Sequence, residues 1–356
     1  MKHLDYEIGH YRPELRDGVV RLLGQLLDGD DAANERFFAW KYEQNPHAEH
    51  PLGILALHRG RVVGFRGYGA ARWHSGQCQP INLLVPGDTC VDANHRQKGL
   101  SVAMGQLATA DYAAGYRLFL NLSCTRDSLP GDLRLGFAPL ADKVYLSRYG
   151  SPGLARYLLA SKIQRPIRAS RIHYGAFGDV TVSAAPLPAP MASVIARQAH
   201  AGGRLHLCQE EDFFRWRFAG PSDKFVFYFR RAGDDTVAYL AVAVTAGGHR
   251  GYVIDHADND GESCGRLFEF VAARGDFKVL SVFAHSLDAP LAATLRRNGF
   301  RAGGIMGALE QRVRGNLPIL VRPLRAEPAE ADWFIDGQDV RAMGNWAIKG
   351  VCSDST

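Results

Sequence analysis

Residue types that staple or ligate are scarce in this sequence. Six cysteines occur in 356 residues, at positions 78, 90, 124, 208, 264 and 352. None forms a CxxC pair, and no Cys and His fall at zinc-finger spacing, which excludes those metal motifs. Scattered cysteines of this kind read as reduced thiols, so a cytoplasmic protein is expected. Long apolar runs are missing too. No stretch reaches the ~18 residues of a membrane helix, and Met1–Gly18 has no apolar core of signal-peptide length. Charge of one sign is also short: the formal net charge is only +5. That fits local handling of anions and is too weak for a nucleic-acid surface. The expectation is a protein with no metal, membrane or nucleic-acid partner, its oligomeric state left open.

What remains is an ordinary globular balance, 46% hydrophobic and 22% charged, with length enough for two domains. Apolar periodicity predicts a helix over Pro13–Asp28 and another over Asn34–Tyr42. Strands follow at Leu52–His58 and Arg61–Ala71, joined by the turn Arg59-Gly60, and at Ile81–Val91. A helix from about Gly99 to Ala114, a strand at Tyr116–Leu122 and a short helical stretch lead to Gly136-Phe137. Lys143–Tyr149 closes this half as a strand. A mixed sheet flanked by helices fits that order.

The second half repeats the first. Glu35-Arg36-Phe37-Phe38-Ala39-Trp40-Lys41-Tyr42 is matched by Glu211-Asp212-Phe213-Phe214-Arg215-Trp216-Arg217-Phe218. The pattern E-x-F-F-x-W-[KR]-[YF] precedes a hairpin in both copies. Strands at Phe225–Arg231, Val237–Thr245 and Gly251–His256 come next. Helix Ser263–Ala273, strand Lys278–Ala284 and helix Ala289–Asn298 then end at Gly299-Phe300, an echo of Gly136-Phe137. The shared order indicates an internal duplication. Phe and Trp at this spacing also suit plain packing of a helix on a sheet.

Between strand and helix in the first half stands Arg96-Gln97-Lys98-Gly99-Leu100-Ser101. The first N–H groups of a helix lack intrahelical partners, and the helix end is partly positive. Glycine allows a phosphate to approach the main chain, and Arg96 and Lys98 add charge. The second copy has Asp255-His256-Ala257-Asp258-Asn259-Asp260-Gly261-Glu262 at the same place. Its carboxylates would repel a pyrophosphate, each close pair by roughly 1 kcal/mol or more.

In strand, turn and helix order the first half resembles the GNAT superfamily of N-acetyltransferases. Their acyl-CoA turn reads [QR]-x-x-G-x-[GA]; Arg96 and Gly99 match it, and Ser101 replaces the last small residue. The resemblance implies a tandem α/β protein, each domain a mixed, mostly antiparallel sheet flanked by helices. Residues 1–150 would form the acyl-CoA domain, 151–185 a connector, and 186–356 a degenerate domain that shapes the acceptor pocket. It implies acetyl-CoA as co-substrate, bound by Arg96, Gln97, Lys98, Gly99, Leu100 and Ser101, with pantetheine beside the main chain of Cys90 and Val91. The acceptor would be a primary amine of a small molecule, an amino sugar or an amino-acid-like amine. Attack would be direct, through a tetrahedral intermediate.

Asp88 is the candidate general base, or else a turn residue behind Pro86-Gly87. Asp92 reads as a turn residue. Ser123 is a candidate donor to the leaving thiolate. Where the superfamily often has a tyrosine four residues before Gly-Phe, this chain has Asp132. Arg66, Tyr68 and Trp40 are the candidate acceptor-binding side chains, with a solvated sheet face as the other reading of the third strand. Two alternatives stand beside the transferase: an aminoacyl-tRNA-dependent enzyme of the peptidoglycan-bridge type, and a non-catalytic acyl-CoA sensor.

Overall fold

A computed structural model describes residues 5–27, 29–76, 79–150, 172–198, 203–221, 224–245, 248–302 and 317–353. Strand β1 (Glu7–His10) precedes helices α1 (Arg16–Leu23) and α2 (Asp31–Phe38). Helix α1 buries Val19, Val20, Leu22 and Leu23 on one face. Asp30 caps α2 by accepting from the Ala33 N–H. α2 continues into a π-helical turn, Ala39–Glu43, that buries Trp40, Lys41 and Tyr42 together. Strands β2 (Leu52–His58), β3 (Arg61–Ser75) and β4 (Ile81–Val91) form a meander. Arg59 and Gly60 both have positive φ, 51° and 75°, the type I′ geometry that a two-residue hairpin loop favours. Next come α3 (Leu100–Asp111), β5 (Leu118–Asn121), α4 (Leu129–Arg134), β6 (Ala138–Asp142) and β7 (Tyr145–Tyr149).

Most of the expected connector, 151–171, lies outside the described residues. Its last part holds strands β8 (Gly175–Phe177) and β9 (Val180–Ser183), which belong to the second sheet. Helix α5 (Pro188–Arg197), strand β10 (Leu205–Leu207) and helix α6 (Glu211–Arg217) follow. The second meander is β11 (Lys224–Ala232), β12 (Asp235–Val244) and β13 (Arg250–Asp258). It leads to α7 (Ser263–Arg274), β14 (Val279–Phe283), α8 (Ala289–Arg297) and β15 (Arg301–Ala302). After β16 (Pro318–Pro323), the short strands β17 (Phe334–Ile335), β18 (Gln338–Asp339) and β19 (Trp346–Ala347) finish the chain.

The two halves exchange a strand. The first sheet runs β1-β2-β3-β4-β5-β16-β6, and the second runs β15-β7-β14-β13-β12-β11-β9-β8. β7 was expected to close the first half. Instead it inserts between β14 and β15, with Ser147 opposite Ser281. β16 fills the matching place between β5 and β6, with Leu320 opposite Asn121. Only two residues separate β6 from β7, so the crossing is abrupt. β10 adds a further tie, pairing with both β3 and β19.

The repeated octet sits where the halves meet. Trp40 and Trp216 stack with centroids 5.5 Å apart and planes 20° apart. Each indole Nε1 donates to the main-chain oxygen of the other residue, both at 2.7 Å. This reciprocal contact is what two copies of one motif give across a pseudo-twofold axis. Trp40 is therefore a packing residue, 5% exposed, and not the acceptor-binding side chain expected of it. Trp40→Ala should lower stability by about 3–5 kcal/mol, the usual loss for a buried tryptophan, as thermal unfolding would register.

Candidate active site

Strands β4 and β5 are parallel neighbours for only two residue pairs, Leu83 with Leu118 and Leu84 with Phe119. Beyond these the strands part, and a cleft opens along Val85–Val91. On its other edge β4 stays paired with β3, but with a bulge. Phe65 faces Cys90 and Gly67 faces Gly87, so Asp88 and Thr89 stand opposite Arg66 alone. The bulge puts Asp88 at φ 44°, in the left-handed region, a conformation uncommon outside glycine.

The turn after β4 forms as its sequence suggests. Asp92 accepts from the Asn94 N–H and from Gln25, so it is a turn residue. Those hydrogen bonds hold its carboxyl below the usual range. Gln97 and Gly99 have φ of 61° and 75°. α3 begins at Leu100 with no side-chain cap on its first N–H groups. Leu100 itself is 2% exposed, so only its main chain can face a ligand. Arg96 donates to the Val91 oxygen at 3.0 Å, and Lys98 donates to the Tyr6 hydroxyl at 2.9 Å. The Cys90 thiol points the other way, toward the Leu22 oxygen in the core, and burial raises its pKa.

Asp88 is held rather than loose. Its Oδ2 accepts from Lys41 Nζ at 2.5 Å and from Tyr42 OH at 2.7 Å. The Lys41 and Asp88 side chains are 6% and 14% exposed. Among the described residues no hydrogen bond reaches Asp88 Oδ1. Lys41 and Tyr42 thus orient a carboxylate and leave one oxygen for another partner. Both belong to the octet, and its Lys-Tyr ending was a signal read only as packing. Glycine makes the approach possible. A Cβ at Gly67 would lie 2.1 Å from the Tyr42 hydroxyl, and one at Gly87 would lie 3.0 Å from Lys41 Nζ.

A cavity of about 50 Å³ adjoins this cluster, between the halves. Lys41, His47, Gly69 and Gly87 line it from the first half, and Phe213 and Trp216 from the second. The His47 ring stacks on Phe213 at 5.8 Å. Burial, with Arg72 beside it, lowers its pKa to about 4, so it is neutral at pH 7. Ser123 stands at the cleft mouth and donates to the Pro86 oxygen at 3.3 Å.

Arg66 and Tyr68 do not reach this cavity, which corrects the sequence expectation. Alternate residues of a strand point to opposite faces. Gly67 and Gly69 face the cavity side, while Arg66 and Tyr68 face α3. Arg66 is 3% exposed and pairs with Asp132 at 2.7 Å. Asn121 donates to the other Asp132 oxygen at 2.9 Å and accepts from the Ser123 N–H. Tyr68 packs on Phe119 and Tyr112. Asp132 is locked in this buried network.

The second half has the same bulge and cleft but a closed turn. β12 and β13 shift register between Ala241 and Val242, and β13 meets β14 at four pairs, Arg250–Val253 with Val279–Val282. Asp258 accepts from the N–H groups of Gly261 and Cys264. Asp260 accepts from those of Glu262 and Ser263. The chain's own carboxylates occupy the donors that α3 leaves uncapped. Burial raises the Asp258 pKa; at Asp260 burial acts the same way, but hydrogen bonds from Ser263 and the turn N–H groups outweigh it. No cluster of three metal-ligating side chains and no helix long and apolar enough to cross a membrane occurs among the described residues.

No protein-family model and no curated protein matches the chain. Solved structures do. A GCN5-related N-acetyltransferase from Anabaena variabilis ATCC 29413 superposes with TM-score 0.61 at 12% identity, over 90% of this chain and 73% of that one. A conserved protein of unknown function from Enterococcus faecalis V583, described as a probable N-acyltransferase, gives 0.60 at 11% identity over the same shares. Eis1 from Mycobacterium abscessus gives 0.53 at 14% identity, over 90% and 74%.

Proposed function

We propose, from the GCN5-related N-acetyltransferase fold that this chain carries in tandem, that it is an acyl-CoA-dependent N-acyltransferase acting on a primary amine of a small molecule. The contrast between the two turns supports it most: Gly99–Ser101 offers uncapped N–H groups flanked by Arg96 and Lys98, whereas Asp258 and Asp260 fill the other turn. The donor pyrophosphate would take the first set, and the pantetheine arm would run along the free edge of β4 at Cys90 and Val91. Acetyl-CoA is the expected donor.

The acceptor would enter from the cavity between the halves, as an amino sugar or an amino-acid-like amine. An amine attacks only when neutral, and its pKa is ~10. Asp88 Oδ1 is the group that would draw the ammonium and take its proton. The amine nitrogen then bonds to the thioester carbonyl carbon, releases its second proton to solvent, and the C–S bond breaks. The leaving sulfur takes a proton from solvent, with the Ser123 hydroxyl as the nearby donor.

Thiol release from acetyl-CoA, measured against a panel of amino sugars and amino acids, tests this. Amine-dependent release is expected. Tight acetyl-CoA binding without release for any amine would mark a sensor instead, and salt-sensitive tRNA binding would point to the aminoacyl-tRNA alternative. Calorimetry should find one acetyl-CoA per chain; two equivalent sites would contradict the closed second turn.

A further inference from the structure

A larger cavity, about 140 Å³, lies in the second half at the mouth where β13 and β14 separate. It cannot take a nucleotide-bearing donor as the first cleft would, because Asp258 and Asp260 already fill the turn at its end. Its volume is close to the ~150 Å³ of an engineered cavity that holds benzene, so an occupant must be compact. Its walls mix charged side chains with apolar ones such as Ile195, Leu207 and Leu291, so a wholly apolar ligand does not suit it.

The charges lie in two groups. Arg204 and Lys349 supply the positive charge and Asp258 and Asp288 the negative, while burial lowers the His206 pKa and leaves that ring neutral. Lys349 is already engaged, with Asp255 at 3.1 Å and the His256 oxygen at 2.7 Å. Arg204 is not: its guanidinium has no ion pair or hydrogen bond among the described residues, and it is only half-buried. His256 is 6% exposed, and burial, with Lys349 nearby, lowers its pKa to about 3. It is therefore neutral. The single Ser286 hydroxyl proton goes to the Phe283 oxygen at 2.6 Å. The His256–Ser286 contact of 3.1 Å must then have Nε2–H as donor. That leaves His256 Nδ1 an acceptor, with no partner among the described residues. One Asp288 oxygen caps the Leu291 N–H, and the residue stays exposed.

We propose that this cavity binds a small zwitterion of the α-amino-acid class, its carboxylate on Arg204 and its ammonium between His256 Nδ1 and the Asp258 and Asp288 carboxylates. A single anion would leave His256 Nδ1 and the second Asp288 oxygen unmet, and a simple amine would leave Arg204 unmet. The site is separate from the donor turn and stands whether or not the chain transfers acyl groups. Leu207 and Cys352 line both cavities, so the occupant sits one layer of side chains from the acceptor cavity.

The test is calorimetric titration of the full chain with each proteinogenic α-amino acid, backed by thermal shift. Saturable one-site binding of at least one amino acid is expected. Its methyl ester and its N-acetyl form should each bind about tenfold or more weakly, the worth of one charged hydrogen bond. Arg204→Ala should lose a similar factor, and Leu291→Trp should fill the cavity and abolish binding. Acetyl-CoA affinity should be unchanged in both variants, which also shows that they fold. The proposal is overturned if no amino acid binds, leaving only water in the cavity. It is equally overturned if binding persists in both variants, which would place the ligand in the acceptor cavity. Loss of acetyl-CoA binding in the wild type would count against the transferase reading and leave this site standing.

Discussion

Replacing Asp88 by asparagine should cut kcat for amine acetylation by ~10²–10⁴, the span of a lost general base. The amide keeps the volume and can still accept from Lys41 and Tyr42, so the bulge at φ 44° should survive. Acetyl-CoA affinity should hardly move, because the uncapped turn lies beyond Asp88 along the chain. The loss should shrink at high pH, where the amine is already neutral and needs no base. Steady-state kinetics across pH, with calorimetry for the donor, checks all three points. A rise in acceptor KM with kcat intact would make Asp88 an ammonium anchor instead. A stable variant with wild-type kinetics at neutral pH would falsify both roles. Tyr42→Phe removes one of the two bonds to Oδ2 and should give a smaller loss of the same kind.

Gly99→Glu should weaken acetyl-CoA binding on the order of 10³-fold. Two unit charges ~4 Å apart near a protein surface cost about 4 kcal/mol, and a carboxylate at the start of α3 would stand at the proposed pyrophosphate site. It would imitate what Asp258 and Asp260 do in the second half. Gly99 also has φ 75°, so any side chain there is strained by roughly 1–2 kcal/mol. Gly99→Ala separates the effects, since it carries the strain without the charge. The alanine variant should lose stability and keep most of its affinity. Equal affinity in wild type and a folded glutamate variant would place the phosphates elsewhere.

Much of the fold was legible because local patterns decide it. β2 and β4 have the bounds that alternation and turn residues set, and Arg59-Gly60 forms its hairpin turn. The octet marked the duplication, and Trp40 with Trp216 shows why both copies keep it. The strand exchange was not legible. Residues 143–149 read as a strand, but which sheet a strand joins depends on pairing far along the chain, and both sheets have the same vacancy. β6, just before it, was missed for want of alternation in Ala-Pro-Leu-Ala-Asp.

At the candidate site the same division holds. The turn at Arg96–Ser101 announces itself through glycine, charge and position. The face of β3 does not: a bulge and two glycines decide that Arg66 and Tyr68 turn toward α3 while Tyr42 fills the space over Gly67. Lys41 and Tyr42 were hidden because Phe and Trp beside them make the whole octet look like core. Asn121 lay one residue inside a strand and was passed over, although it ties Asp132 to Ser123.

A crystal structure of the chain with acetyl-CoA tests the central claim most directly, that one half receives the donor and the other is closed by its own carboxylates. The result expected is a single donor per chain, its pyrophosphate on the N–H groups of Gly99–Ser101 and its pantetheine arm in the cleft beside β4. Density for the donor at Gly261–Cys264, or in both halves, would contradict it.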